Sequence, residues 1–142
     1  MTVCFFGHRD TPESVQPMLR ETLEKLIEQQ GADRFYVGNQ GSFDAMVLRT
    51  LKVLKKQYAH IQYAVVLAYL PTQPNTEMED TVYPEGLETV PRRYAIDRRN
   101  RWMIDRSDAV ICYVSYSFGG AAKYRELAHQ RHCAVLNLYT EK

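Results

Sequence analysis

Short apolar runs alternate along this chain with longer segments in which apolar residues return every three or four positions. Residues 2–6 (Thr-Val-Cys-Phe-Phe) predict a buried strand that empties into the polar loop Gly7-His8-Arg9-Asp10. Thr11-Pro12-Glu13 then opens a helix, with threonine as its cap, and Val15, Leu19, Leu23, Leu26 and Ile27 keep helical spacing up to Gly31. Residues 34–37 predict a second strand. From Ser42 the period becomes helical again, because Phe43, Met46, Val47, Thr50, Leu51 and Leu54 share one face and Lys52, Lys55 and Lys56 suit the C-terminal end. Residues 61–70 are almost continuously apolar, as in a strand covered on both faces. Residues 92–105 predict an arginine-rich helix, 109–114 a buried strand, 121–131 a helix and 134–138 a last strand.

Strands alternating with helices predict an α/β fold, a Rossmann-like three-layer sandwich with a mostly parallel sheet of about five strands. At 142 residues the chain reads as a single domain, 1–142, interrupted by an acidic loop insertion at 71–91. That insertion holds Glu77, Glu79, Asp80, Glu85 and Glu88 and no basic residue, whereas six of the twelve arginines fall between Arg92 and Arg106. Formal net charge is only +1, so no bulk footprint for nucleic acid or a membrane exists, and nucleic acid is not expected as the partner. No apolar run approaches the roughly twenty residues of a membrane span, which makes a cytoplasmic protein the expectation. Cys4, Cys112 and Cys133 sit in apolar runs like buried reduced thiols, and no metal or cofactor is expected from their spacing.

In a parallel sheet, ligands bind beyond the C-terminal strand ends, where the strand order reverses. Three polar glycine loops gather at that edge: Gly7 to Asp10, Gly38-Asn39-Gln40-Gly41-Ser42-Phe43-Asp44, and Ser115 to Lys123, the last including Ser117, Gly119 and Gly120. Two of them run into helix N-termini, whose amides favour phosphate or carboxylate. Glycines there also serve tight turns alone, so both readings stand. Arg99 projects from the most apolar side of its helix, among Ala95, Ile96, Trp102 and Met103. A guanidinium so placed needs an anion, either a ligand phosphate or an internal carboxylate such as Asp44 or Glu126. Tyr113, Tyr116, Phe118 and Tyr124 cluster near the third loop, where aromatics either stack a base or pack the core.

From Arg99 to Glu126 the chain resembles the SLOG superfamily, the Rossmann-like group of LOG-type phosphoribohydrolases, DprA DNA-processing proteins and YpsA-like proteins. Arg99, Met103, Ser107-Asp108-Ala109, Gly119-Gly120 and Glu126 match the LOG pattern in register, while Phe118, Ala122 and Lys123 stand where that pattern has proline, glycine and threonine. Gly7-His8-Arg9 and Gly38-Asn39-Gln40-Gly41-Ser42-Phe43-Asp44 look more like the YpsA-like branch. The resemblance implies binding or sensing of a nucleotide or nucleotide-derived ligand of ADP-ribose type. Its site would comprise Gly7, His8, Arg9, Gly38, Asn39, Gly41, Asp44, Ser117, Gly119, Gly120 and Lys123, in a homodimer or higher homo-oligomer. It implies as an alternative an N-glycosidic hydrolase of nucleoside 5'-monophosphates with Arg99 and Glu126 as catalytic residues, and as a further alternative DprA-like nucleic-acid binding.

Overall fold

The computed structural model describes residues 1–70 and 80–140. Its strands are β1 (Thr2–Gly7), β2 (Arg34–Val37), β3 (Gln62–Val66), β4 (Thr81–Val82), β5 (Ala109–Tyr113) and β6 (Ala134–Asn137). The helices are α1 (Gln16–Gln30), α2 (Gly41–Gln57), α3 (Ala95–Asp105) and α4 (Gly120–Gln130). One six-stranded sheet runs in the order β4-β3-β2-β1-β5-β6, and all of its pairings are parallel.

Alternation along β1 sets the layers. Val3 and Phe5 face Leu19, Leu23, Phe43 and Met46 of α1 and α2. Cys4 and Phe6 face Met103, Ile104, Tyr124 and Ala128 of α3 and α4 on the opposite side, as the two-residue period of a strand requires. The expected Rossmann-like sandwich is therefore present, with one more strand than the sequence indicated. That strand, β4, lies within the acidic insertion; residues 71–79 of the insertion lie outside the described residues. Its later part is packed, since Leu87 joins Ala68 and Ala95 in a small cluster bordered by Tyr69, Tyr83, Val90 and Ile96. Among the described residues no helix is long and apolar enough to cross a membrane.

One local detail differs from the expectation and another agrees with it. Thr11 does not cap α1; its hydroxyl donates to the His8 carbonyl at 2.6 Å and closes the turn leaving β1, while a short 3-10 turn at Glu13–Val15 begins the helix. Gly31 does end α1, in the left-handed conformation at φ 74° that glycine adopts without steric cost.

Candidate functional site

The chain steps outward from β1 to β4 and then returns through α3 to β5, on the other side of β1. The crevice between β1 and β5 is the reversal point where such sheets bind ligands. A cavity of about 630 Å³ opens there, lined by the β1 exit (Gly7 to Asp10), the start of α2 (Gln40, Asp44), α3 (Ile96, Arg99, Asn100, Met103) and the start of α4 with Tyr116.

Arg99 forms its wall. Only 2% of the residue is exposed, making it the largest fully buried side chain. Its Nη1 donates to the Val66 carbonyl at 2.9 Å, its Nε to the Asn100 side chain at 2.7 Å, and no bond among the described residues engages Nη2. Burial lowers its pKa from the ordinary value, a shift that nearby Asp44 opposes. Asp44 accepts the Gln40 amide at 2.9 Å at the head of α2. Burial raises its carboxyl to about 6, with the Gln40 amide and Arg99 offsetting only part of the rise. Charge and countercharge thus lie side by side at the cavity without closing into a contact ion pair. An uncompensated buried guanidinium costs several kcal/mol, so a ligand anion at Nη2 would be bound by a group already desolvated and held in place.

The glycines divide by what their missing side chains make room for. A Cβ on Gly7 would lie 2.2 Å from the Phe43 ring, so Gly7 lets α2 approach β1. A Cβ on Gly38 would lie 2.8 Å from both Arg99 Nη1 and Asp44 Oδ2, so Gly38 admits the charged pair itself. Gly41 combines φ +87° with a would-be contact of 2.8 Å to the Arg9 backbone, and beside it Ser42 donates its amide to the Arg9 carbonyl. Gly119 has φ +90°, whereas a side chain at Gly120 would meet nothing nearby.

His8 is buried and serves as a clasp. Its Nε2 accepts the Ser115 amide at 2.9 Å, which fixes the neutral ring with its proton on Nδ1. Burial lowers its pKa, opposed by Asp10. Tyr116 stacks on His8 with centroids 3.7 Å apart and planes within 5°.

The remaining candidates are distributed unevenly. Arg9 is exposed at the cavity mouth and has no side-chain partner among the described residues. Lys123 binds Asp97 at 3.0 Å, as do Tyr124 through its hydroxyl at 2.6 Å and Arg101 at 2.9 Å. Partial burial works against the Asp97 charge, yet these three donors outweigh it and hold the carboxyl at about 2. Lys123 therefore ties α4 to α3. Glu126 is exposed, two positions beyond Tyr124; two residues are about 200° around a helix, so it points away from the cavity. Arg99 and Glu126 are not brought together. Asn39 is exposed and does not line the cavity, and Ser117 lines a smaller neighbouring cavity instead. Asn100, which holds Arg99 in place, went unnoticed in the sequence; its signal was a polar residue on the apolar side of the arginine helix.

Fold and site together define a Rossmann-like α/β architecture with a cleft at its strand ends walled by a buried arginine. No protein-family model matches the chain, and no curated protein sequence matches it. Among solved structures it is similar to DNA processing protein A from Helicobacter pylori, from a study of that protein's single-stranded DNA binding mode. The TM-score is 0.65 over 95% of this chain at 15% sequence identity, and the match spans 63% of the neighbour's length. At that identity the likeness is one of fold.

This neighbour overturns the expectation that set nucleic acid aside, since a protein sharing the fold binds single-stranded DNA. Net charge alone does not set such a partner aside, because the local arrangement of cations decides what a phosphate meets. Of the six arginines in the run, only Arg99 lines the cavity; Arg92, Arg93 and Arg106 lie over the rings of Tyr69, Tyr94 and Trp102, and Arg101 pairs with Asp97.

Proposed function

We propose that this domain binds single-stranded nucleic acid, with one phosphate resting between Arg99 and Arg9 at the strand-end cleft. The observation that carries the reading is the buried Arg99 guanidinium, held on two sides by protein and, among the described residues, unengaged at Nη2. Arg9, without a side-chain partner among the described residues, adds a cation at the mouth, and the fold is shared with a protein that binds single-stranded DNA. Charge-assisted bonds of this kind contribute roughly 1.5–3 kcal/mol each, which is about tenfold to a hundredfold in affinity.

Fluorescence anisotropy with a labelled single-stranded oligonucleotide and its duplex tests this at two salt concentrations. The single strand should bind more tightly than the duplex and weaken as salt rises. Arg9→Gln, at an exposed position, should cost about tenfold without lowering the melting temperature. Absence of strand binding at low salt would refute the reading. A free nucleotide-derived ligand is the second reading, favoured by the cavity volume of about 630 Å³, which is within the range of small-molecule sites. In that case a mononucleotide would bind to wild-type protein and an oligonucleotide would not compete with it.

A further inference from the structure

His8, Tyr116 and Phe118 form a three-ring column at the rim of the cleft. The His8 ring is pinned by the Ser115 amide, Tyr116 stacks on it at 3.7 Å, and Phe118 lies 4.5 Å from Tyr116, tilted by 31°. The column ends in solvent, because Phe118 is 71% exposed. A second cavity, of about 310 Å³, opens beyond Tyr116 and is lined by Ser115, Ser117, Arg125, Asn137 and Tyr139. Asn137 is fully occupied there, bonding Val114 through both its amide oxygen and its nitrogen. Arg125 is half-buried and makes no hydrogen bond or ion pair among the described residues. Tyr116 lines both cavities, so it separates the Arg99 cleft, where Asp44 lies beside the guanidinium, from a second cavity in which Arg125 meets no carboxylate among the lining residues.

We propose that Phe118 is a stacking platform for a nucleobase and that Arg125 takes the adjoining phosphate, so that the ligand spans at least two nucleotides across the Tyr116 rim. This rests on the strand-binding reading and goes beyond it by naming a second subsite and the unit it recognises. Every base offers a π-face, so a platform of this kind accepts any sequence. A mononucleotide would fill the Arg99 cleft and leave the platform empty.

The test compares wild-type protein with Phe118→Ala, Phe118→Tyr and Arg125→Gln, using a labelled thymidine oligonucleotide and thymidine monophosphate as probes. Phe118→Ala should weaken oligonucleotide binding about tenfold, Phe118→Tyr should restore it, and neither should move monophosphate binding. Arg125→Gln should make the slope of log affinity against log salt shallower by about 0.7, the contribution of one phosphate contact on a single strand. Oligonucleotide binding unchanged in Phe118→Ala and Arg125→Gln, but weakened in Arg9→Gln, would overturn the platform and leave the cleft reading standing. Wild-type protein that binds no oligonucleotide would overturn both. These side chains lie on exposed or half-buried positions, and melting temperatures within about 2 °C of wild type would show that the variants are folded.

Discussion

Gly7→Ala isolates packing from ligand contact at the heart of the site. The new Cβ would lie 2.2, 2.4 and 2.6 Å from Phe43 Cγ, Cδ2 and Cβ, where carbon atoms prefer about 3.5–4.0 Å. Rotating the ring does not relieve the contact with Phe43 Cβ, which is fixed to the backbone of α2, so the head of that helix must move by about 1 Å. Phe43 is fully buried against β1, and overpacking of this kind costs typically 1–3 kcal/mol. Three simultaneous overlaps put the expectation at the upper end, about 3 kcal/mol, or a fall of roughly 10 °C in melting temperature for a domain of this size. Urea unfolding followed by circular dichroism would read the loss directly. Phe43→Ala removes two of the three overlapping atoms, Cγ and Cδ2, so the double variant should lose about 1–3 kcal/mol less than the two single losses combined. A Gly7→Ala protein within about 0.5 kcal/mol of wild type, or strict additivity in the double variant, would refute the packing role and return Gly7 to the ligand.

Two further outcomes follow from the same geometry. Asp44 has a folded pKa of about 6 against a usual 3.8, so the folded state holds its proton where the unfolded chain has lost it. Stability should therefore decline as pH rises from about 4 to 6, by up to about 3 kcal/mol, and stay level above that window. Asp44→Asn should abolish the decline, leaving the variant more stable than the parent at pH 8 but not at pH 4; an equal difference at both pH values in urea titrations would contradict the assignment. Glu126→Gln, on the exposed side of α4, should leave oligonucleotide affinity within threefold and the melting temperature within about 2 °C, and a larger loss of binding would bring Glu126 into the site.

Periodicity carried most of the fold. The apolar runs and helical stripes located β1, β2, β3, β5, β6 and all four helices. Thr81–Val82 escaped because two residues inside an acidic segment leave no apolar run to detect. Arg99 was legible as a buried cation from its neighbours Ala95, Ile96, Trp102 and Met103, but its main partner was not, because a backbone carbonyl at Val66 has no side-chain signature. Glycines posed a different difficulty. Gly7 and Gly38 both require an absent Cβ, and nothing in sequence distinguishes room for a phosphate from room for Phe43 or for Arg99. Lys123 was misleading for a third reason: its partner Asp97 lies on another helix, 26 residues away, where no local spacing rule applies.

The His8 clasp also bears on how the site comes into being. Its two ends, the β1 exit and the Ser115 amide, are 107 residues apart in the chain, and the strands that bring them together, β1 and β5, are neighbours in the interior of the sheet. Closing so long a loop has an entropic cost that local contacts cannot offset, and folding dominated by such distant pairings is comparatively slow. The cleft proposed to hold the phosphate is therefore incomplete in any fragment that ends before β5. As the polypeptide is made, the first four strands can emerge with their half of the crevice already shaped, yet it gains its second wall only when β5 docks beside β1. On the proposed reading, ligand binding would be a late property of this chain and a direct signal that β1 and β5 have joined.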